Sequence, residues 1–227
     1  MTKTTVFLSD GKILFREGIH FVLSNMEDIE VIGESTSNEE ALFFIEMHKP
    51  QMAILSVDDK KLSGIEATRR IKGSERGVSV ILVMDTENEE ELFSAIKCGA
   101  DGCITRDADP DDLVRIVYDV AEGLLPISGA LLRPELAARA LHEFRTLTPI
   151  EQRAGNALFK LTPSETEILR EISNGAGIED LSARLAETSE AICSELELIM
   201  QKLVANHCSR QFVEVLQSLH RSSHFAK

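Results

Sequence analysis

An α/β half followed by an all-α half is the fold class that this 227-residue sequence predicts. Three observations predict it. Up to about residue 125, short apolar runs alternate five times with amphipathic stretches of helical spacing, the pattern of a doubly wound parallel sheet. A connector carrying Pro126, Gly129, Pro134 and Pro149 follows. Beyond Leu161 every periodic segment is helical. The chain is long enough for two small cores. The division expected is a first domain over 1–125, a linker with one helix over 126–160, and a helical domain over 161–227.

Taken in order, Thr5–Ser9 reads as a strand and Ile13–Ser24 as a helix with a stripe of Leu14, Phe15, Ile19 and Val22. Ile29–Gly33 is the second strand. Asn38–Met47 follows as a helix, with Ser37 as its N-cap. Met52–Leu55 is short, apolar and bounded by Pro50 and a polar loop, hence a buried third strand. Gly64–Lys72 is helical, Val78–Val83 the fourth strand, and Glu89–Lys97 a helix stopped by Gly99. Gly102–Thr105 is a short fifth strand. Asp109-Pro110-Asp111-Asp112 opens a helix to Ala121, with proline at the first position and acids near the positive end of the dipole. Pro134–Phe144 is the helix of the linker. Thr162-Pro163-Ser164-Glu165 is a capping box that starts a helix to Ser173. Ile178–Leu185, Ser189–Leu203 and Ser209–Leu219 complete the tail. The string Leu-Thr-Pro-x-Glu at 147–151 and 161–165 reads as two independent caps.

Composition narrows the function. No apolar run nears the roughly 20 residues of a membrane span, and the start lacks a signal peptide's apolar core. A cytoplasmic protein is expected, with Cys98, Cys103, Cys193 and Cys208 as reduced thiols. The net charge of −14 argues against non-specific nucleic-acid binding. It is uneven: residues 1–125 hold 13 Lys/Arg and 25 Asp/Glu, net −12, whereas 161–227 hold 6 and 10, net −4. No phosphate-cradling glycine loop and no nucleophile–base set is visible, so an enzyme is not expected, nor is a cofactor. His220 and His224 have metal-like spacing but lie in a polar tail without further ligands. Glu89-Glu90-Glu91 reads as a solvated first helical turn.

The most informative stretch is Pro50–Gly64, because open α/β sheets place their chemistry where strands end. With Gly64–Ile71, Phe15-Arg16-Glu17-Gly18, Ile29–Glu34, Cys98–Gly102, Asp107–Ala121 and, in the tail, Leu161–Gly175, it resembles the NarL/FixJ type of response regulator over nearly the whole chain. The resemblance implies a CheY-like five-stranded receiver followed by a LuxR-type helix-turn-helix domain of four helices, the third of which reads DNA.

Within that frame the functional residues mostly depart from the family. The two metal-binding acids at the end of the first strand correspond to Asp10 and Gly11. The phosphoaccepting aspartate corresponds to Ser56, the hydroxyl residue that bonds the phosphoryl group to Met84, the aromatic switch to Cys103 and the phosphate-pairing lysine to Arg106. Only Asp10 keeps the family's residue. A divalent metal needs carboxylate oxygens, and a serine without a base is a poor nucleophile. No metal and no aspartyl phosphorylation are therefore expected. Alternation puts Asp58 on the side of Ser56, but Asp58 and Asp59 read as solvated loop acids. Asp10 and Arg106 could form an ion pair across the vacated pocket.

In the output domain, the positions of the recognition helix carry Cys193, Ser194, Glu195, Glu197 and Lys202. Acids here oppose the counterion release that drives DNA affinity. Ile192, Leu196, Ile199 and Leu203 keep the scaffold. Arg170, Arg184 and Arg210 are the other candidate phosphate contacts. The expectation is an atypical response regulator that acts in transcription without aspartyl phosphorylation. Its receiver would serve for dimerisation or docking. A homodimer is expected, and DNA, other regulatory proteins or a kinase are the candidate partners. The alternative is an adaptor or antagonist that does not bind DNA.

Overall fold

The computed structural model describes the backbone of residues 3–75, 77–146 and 160–224, with side chains as far as Ser209. The chain forms two compact units, Met1–Ile127 and Ser128–Lys227. The second expected cap at 147–151, Arg210 and the side chains of Phe212–Leu219, His220 and His224 lie outside the described residues.

The first unit is a five-stranded parallel sheet: β1 (Thr4–Ser9), β2 (Ile29–Ser35), β3 (Met52–Ser56), β4 (Ser79–Met84) and β5 (Gly102–Thr105), in the order β2-β1-β3-β4-β5. Its helices are α1 (Ile13–Ser24), α2 (Asn38–His48), α3 (Gly64–Ser74), α4 (Glu89–Cys98) and α5 (Pro110–Ala121). The doubly wound reading of the sequence holds. Helices α1 and α5 pack together, and α2, α3 and α4 pack in series. Every residue of β3 is buried, as a central strand covered on both faces requires. Val6, Leu8, Ile54, Ile81 and Val83 meet Ile19, Leu23, Leu113 and Val117 in one apolar cluster.

Two glycines mark close approaches. Between Val6 and Phe7 the β1–β2 register slips by a residue, and Gly33 sits beside the slip. A Cβ on Gly33 would lie 2.8 Å from the Phe44 ring and 3.0 Å from that of Phe7. A Cβ on Gly64, the first residue of α3, would lie 2.6 Å from the Ser56 carbonyl oxygen. Glycine there lets α3 start directly against the end of β3.

The second unit holds α6 (Pro134–Arg145), α7 (Pro163–Ser173), α8 (Ile178–Leu185) and α9 (Ser189–His224); a 3-10 helix over Pro126–Leu132 precedes α6. Leu136, Ala140, Ile168, Leu169, Leu181, Ile192, Leu196, Ile199 and Leu203 are buried. The capping box of α7 is formed as expected: Glu165 N donates to Thr162 Oγ1 at 3.1 Å, and Thr162 N to Glu165 Oε2 at 2.7 Å. The tail differs from expectation in one respect. The helices expected at Ser189–Leu203 and Ser209–Leu219 are one continuous helix, α9. Nothing between Leu203 and Ser209 breaks a helix. The Ser209 hydroxyl, instead of capping a new start, donates back to the Ala205 carbonyl at 2.9 Å.

Candidate functional site

The carboxyl edge of the sheet carries a polar pocket of about 370 Å³, whose lining includes Asp10, Lys12, Ser56, Asp58 and Arg106. Asp10 and Ser56 are each 3% exposed. Arg106 follows β5 and is held there by Arg106 N donating to the Met84 carbonyl at 3.1 Å. Its guanidinium then reaches back across the sheet. Nη1 donates to Asp10 Oδ2, Nη2 donates to Ser56 Oγ at 2.7 Å, and Nε donates to Asp85 Oδ1. Asp58 lies 4.0 Å away, and the Phe15 ring of α1 sits 5.0 Å from the guanidinium carbon. One side chain thus joins the ends of β1, β3 and β4 to the residue after β5. The Asp10–Arg106 ion pair anticipated from the sequence is present, and it is the centre of a larger clamp.

Both oxygens of Asp10 are already engaged. Oδ1 accepts from Lys12 N at 2.7 Å and Oδ2 from Arg106. Gly11 supplies no carboxylate, and the Ser56 hydroxyl accepts from Arg106. The residues present therefore do not fit a divalent cation, which needs hard anionic oxygens and not a resident guanidinium. Among the described residues, no group of three or more His, Cys, Asp or Glu could hold a metal ion. Lys12 also pairs with Asp85, and the hydrogen bonds from Lys12 and Arg106 hold the Asp85 carboxyl below its ordinary value. Next to it, Glu91 is pushed up by burial and by the charges of Asp58 and Asp85.

The two loop acids differ. Asp58 is exposed, as read from the sequence. Asp59 is not merely solvated. Its carboxylate accepts from Asn38 N at 2.6 Å and from Lys61 N at 2.8 Å. Asp59 is the acceptor that caps α2, and Ser37, read as the N-cap, leaves its hydroxyl buried without a hydrogen-bond partner. The Asn38 side chain completes the brace, donating to the carbonyls of Ser56 and Leu62, each at 2.8 Å.

Met84 is fully buried at the end of β4 and presents a thioether, which is at most a weak acceptor. Cys103 is half-buried on β5 beside Met84 in a separate pocket of about 200 Å³. Arg16 adds a second network: it donates to the Asp10 carbonyl at 2.7 Å and to Glu34 at 2.9 Å, and His20 also bonds Glu34. Asp85, Lys12, Phe15, Asn38 and Asp59 were missed as site residues from the sequence. Lys12 and Asp85 stand out in it only as polar residues just past a strand end, Asn38 as the start of a helix, Phe15 as part of the α1 stripe and Asp59 as a loop acid.

In the second unit, α8 and the start of α9 form a helix-turn-helix. The turn holds Ala186 at φ 55°, and Thr188 Oγ1 accepts from Ala191 N at 3.2 Å. Ala191, Cys193, Ser194 and Leu198 are exposed along α9. The Cys193 thiol is pushed up by partial burial and by Glu197 and Glu190. Glu195 is half-buried, and its carboxyl is raised by burial and by Glu165 and Glu187. Lys202 does not lie on the exposed face. It is 15% exposed and its ammonium is 2.6 Å from both oxygens of Glu165, a side chain only 2% exposed. Arg170 pairs with Glu167 at 2.6 Å, and Arg184 pairs with Glu171. The three described candidates for phosphate contact thus each have an acid already.

The response regulator receiver domain model matches residues 6–118. The nitrate/nitrite response regulator protein NarL of Escherichia coli (strain K12) is 28% identical over 199 residues, covering 88% of this chain and 88% of that protein. The transcriptional regulatory protein DegU of Brevibacillus brevis is 25% identical over 227 residues, covering 95% of this chain and 94% of that one. The signal receiver domain of NarL from Mycobacterium tuberculosis superposes with a TM-score of 0.53 at 28% identity, over 54% of this chain and 99% of that domain. A Salmonella typhimurium RcsB response regulator, 19% identical, matches 92% of this chain with a TM-score of 0.53, a likeness of fold.

Proposed function

We propose that this chain, which matches the response regulator receiver domain over residues 6–118 and is similar to NarL and DegU over most of its length, is a transcriptional regulator of the NarL/LuxR family that works without aspartyl phosphorylation. The observation that carries the proposal is the Arg106 clamp. The guanidinium is bonded to Asp10 and Ser56 at once, in the pocket where the family's chemistry needs a metal and a carboxylate nucleophile. A phosphoryl donor would find a buried serine hydroxyl with no base, beside an arginine that keeps the lysine's charge but not its shape. The receiver, residues 1–125, then serves as a dimerisation or docking module. The output domain is drawn from the second unit, where α6 packs against α7 and α9.

The output domain keeps a helix-turn-helix scaffold, so DNA is its first candidate ligand. Affinity is proposed to be weak, because Glu190, Glu195 and Glu197 stand on α9, Lys202 is turned inward to Glu165, and Arg170 and Arg184 each already face an acid. That same balance favours the second reading, an adaptor that binds another regulator, a kinase or polymerase and never touches DNA.

The test has two arms. Incubation with magnesium and acetyl phosphate, or with beryllofluoride, is expected to give no phosphoprotein mass and no change in sedimentation; an aspartyl phosphate or a mimic-induced dimer refutes the proposal. Retention of fragmented DNA from the source organism, sequenced at low and moderate salt, separates the two output readings. Specific sites that weaken with salt mean direct DNA reading; no enrichment at either salt means the adaptor.

A further inference from the structure

The first unit has a second concavity, unrelated to the family's phosphorylation site. It is an apolar groove of about 300 Å³ between α1 and the start of α5, with Leu14, Phe15 and Phe21 on one side and Pro110 and Leu113 on the other. Leu14 is 90% exposed and Phe21 72%. These are large side chains to leave in water, given the cost of about 25 cal/mol per Å² of apolar surface. At Gly18, between them, a Cβ would meet nothing within 4 Å, so α1 leaves the groove open at this position. Its volume is at the lower end for small-molecule sites, and it is about twice the ~150 Å³ cavity that accepts benzene.

Charge narrows the occupant. Asp109 is the one charged residue among those described as lining the groove, and its carboxylate makes no capping bond to α5. Glu17 is exposed on α1 between Leu14 and Phe21, and Asp111 is exposed on the first turn of α5. These full charges outweigh the roughly half positive charge of the α5 amino end, on a segment whose net charge is −12. We propose that this groove binds a small organic cation with an apolar, aromatic-sized body, its ammonium at Asp109. The Phe15 ring that lines the groove is also the ring over which Arg106 sits, at 5.0 Å. Occupancy therefore reaches the Arg106 clamp through one shared side chain. Binding stands apart from the phosphorylation reading; only this coupling rests on the clamp.

The probes are 4-phenylbutylamine and its anionic counterpart 4-phenylbutyrate, titrated into the full chain and followed by the methyl signals of Leu14, Ile104 and Leu113 and the Nε signal of Arg106. The amine is expected to bind saturably, about tenfold tighter than the carboxylate, as attraction against repulsion across a solvated contact gives. Asp109→Asn keeps a good N-cap residue and is expected to remove that preference. Gly18→Leu fills the groove while improving helix propensity, and is expected to abolish binding with the circular dichroism unchanged. The Arg106 signal is expected to move on binding. Equal affinity for both probes, no saturable shift, or full binding by Gly18→Leu overturns the site. Saturable binding with a stationary Arg106 signal overturns the coupling. Shifts of Leu14 that follow protein concentration without probe assign the groove to a second copy and overturn the ligand. None of these outcomes depends on whether acetyl phosphate modifies the protein.

Discussion

Replacing Arg106 by methionine isolates the clamp. Methionine keeps much of the stem that packs near Phe15 and removes the fork. What remains is Asp10, its side chain 3% exposed, with the Lys12 backbone amide at 2.7 Å as its remaining described hydrogen-bond donor. Breaking a buried pair by removing one partner costs about 3–5 kcal/mol, because the other charge is stranded. The contact to Asp85, a side chain 47% exposed, adds no more than about 1 kcal/mol. The expected loss is thus about 3–5 kcal/mol, a large part of the stability of a unit of this size. Tyr118 of α5 is the only tyrosine and the chain has no tryptophan. Its fluorescence during urea unfolding therefore follows the first unit alone. The double variant Asp10→Asn with Arg106→Met removes the stranded charge and is expected to recover most of the loss. A single variant that loses less than about 1 kcal/mol, the worth of a surface pair, would refute the clamp. So would a double variant no more stable than the single.

Three further outcomes are expected. Lys202→Met strands Glu165 in the second unit and should cost about 3–5 kcal/mol, read from the unfolding of residues 128–227 by hydrogen exchange. Gly64→Ala drives a methyl group to 2.6 Å from the Ser56 carbonyl and should cost about 1–3 kcal/mol, measured by the same urea titration as Arg106→Met. At Glu34, burial pushes the carboxyl up but hydrogen bonds from His20 and Arg16 more than offset it, leaving it below its ordinary value of 4.5. Its contribution is therefore complete above the unfolded carboxylate range and is lost as pH falls through the depressed folded value. Glu34→Gln should flatten that part of the acid-denaturation curve.

The order and type of the elements were legible because five alternations of period leave few topologies open. What was not legible is instructive. Ser37 reads as an N-cap and Ser209 as the first residue of a separate helix, since serine before an apolar stripe signals a helix start. In the fold, Asp59, 21 residues from Asn38, does the work of the first, and the second bonds backward inside α9. Local sequence does not reveal which of several acceptors wins a backbone amide. The Asp10–Arg106 pair followed from the family resemblance, which puts both residues in one pocket although β1 and β5 are not neighbours in the sheet. Asp85 and Phe15 joined it only because the loop after β4 and the face of α1 bring them there. Lys202 shows the limit of periodicity. A helical wheel puts its Cα near the exposed stripe, but a four-carbon stem lets the ammonium turn inward to Glu165.

The clamp also bears on when stability is acquired. Arg106 lies 96 residues from Asp10 and 50 from Ser56, and its bonds need the ends of β1, β3 and β4 to be in place together with β5. Contacts of such long sequence separation form late, after loop-closure entropy has been met by other strands. Interactions absent from the folding transition state act on the unfolding rate and leave the folding rate nearly unchanged. The guanidinium is in that sense expected to act as a latch on the finished unit, lengthening the lifetime of the folded first unit without hastening its assembly.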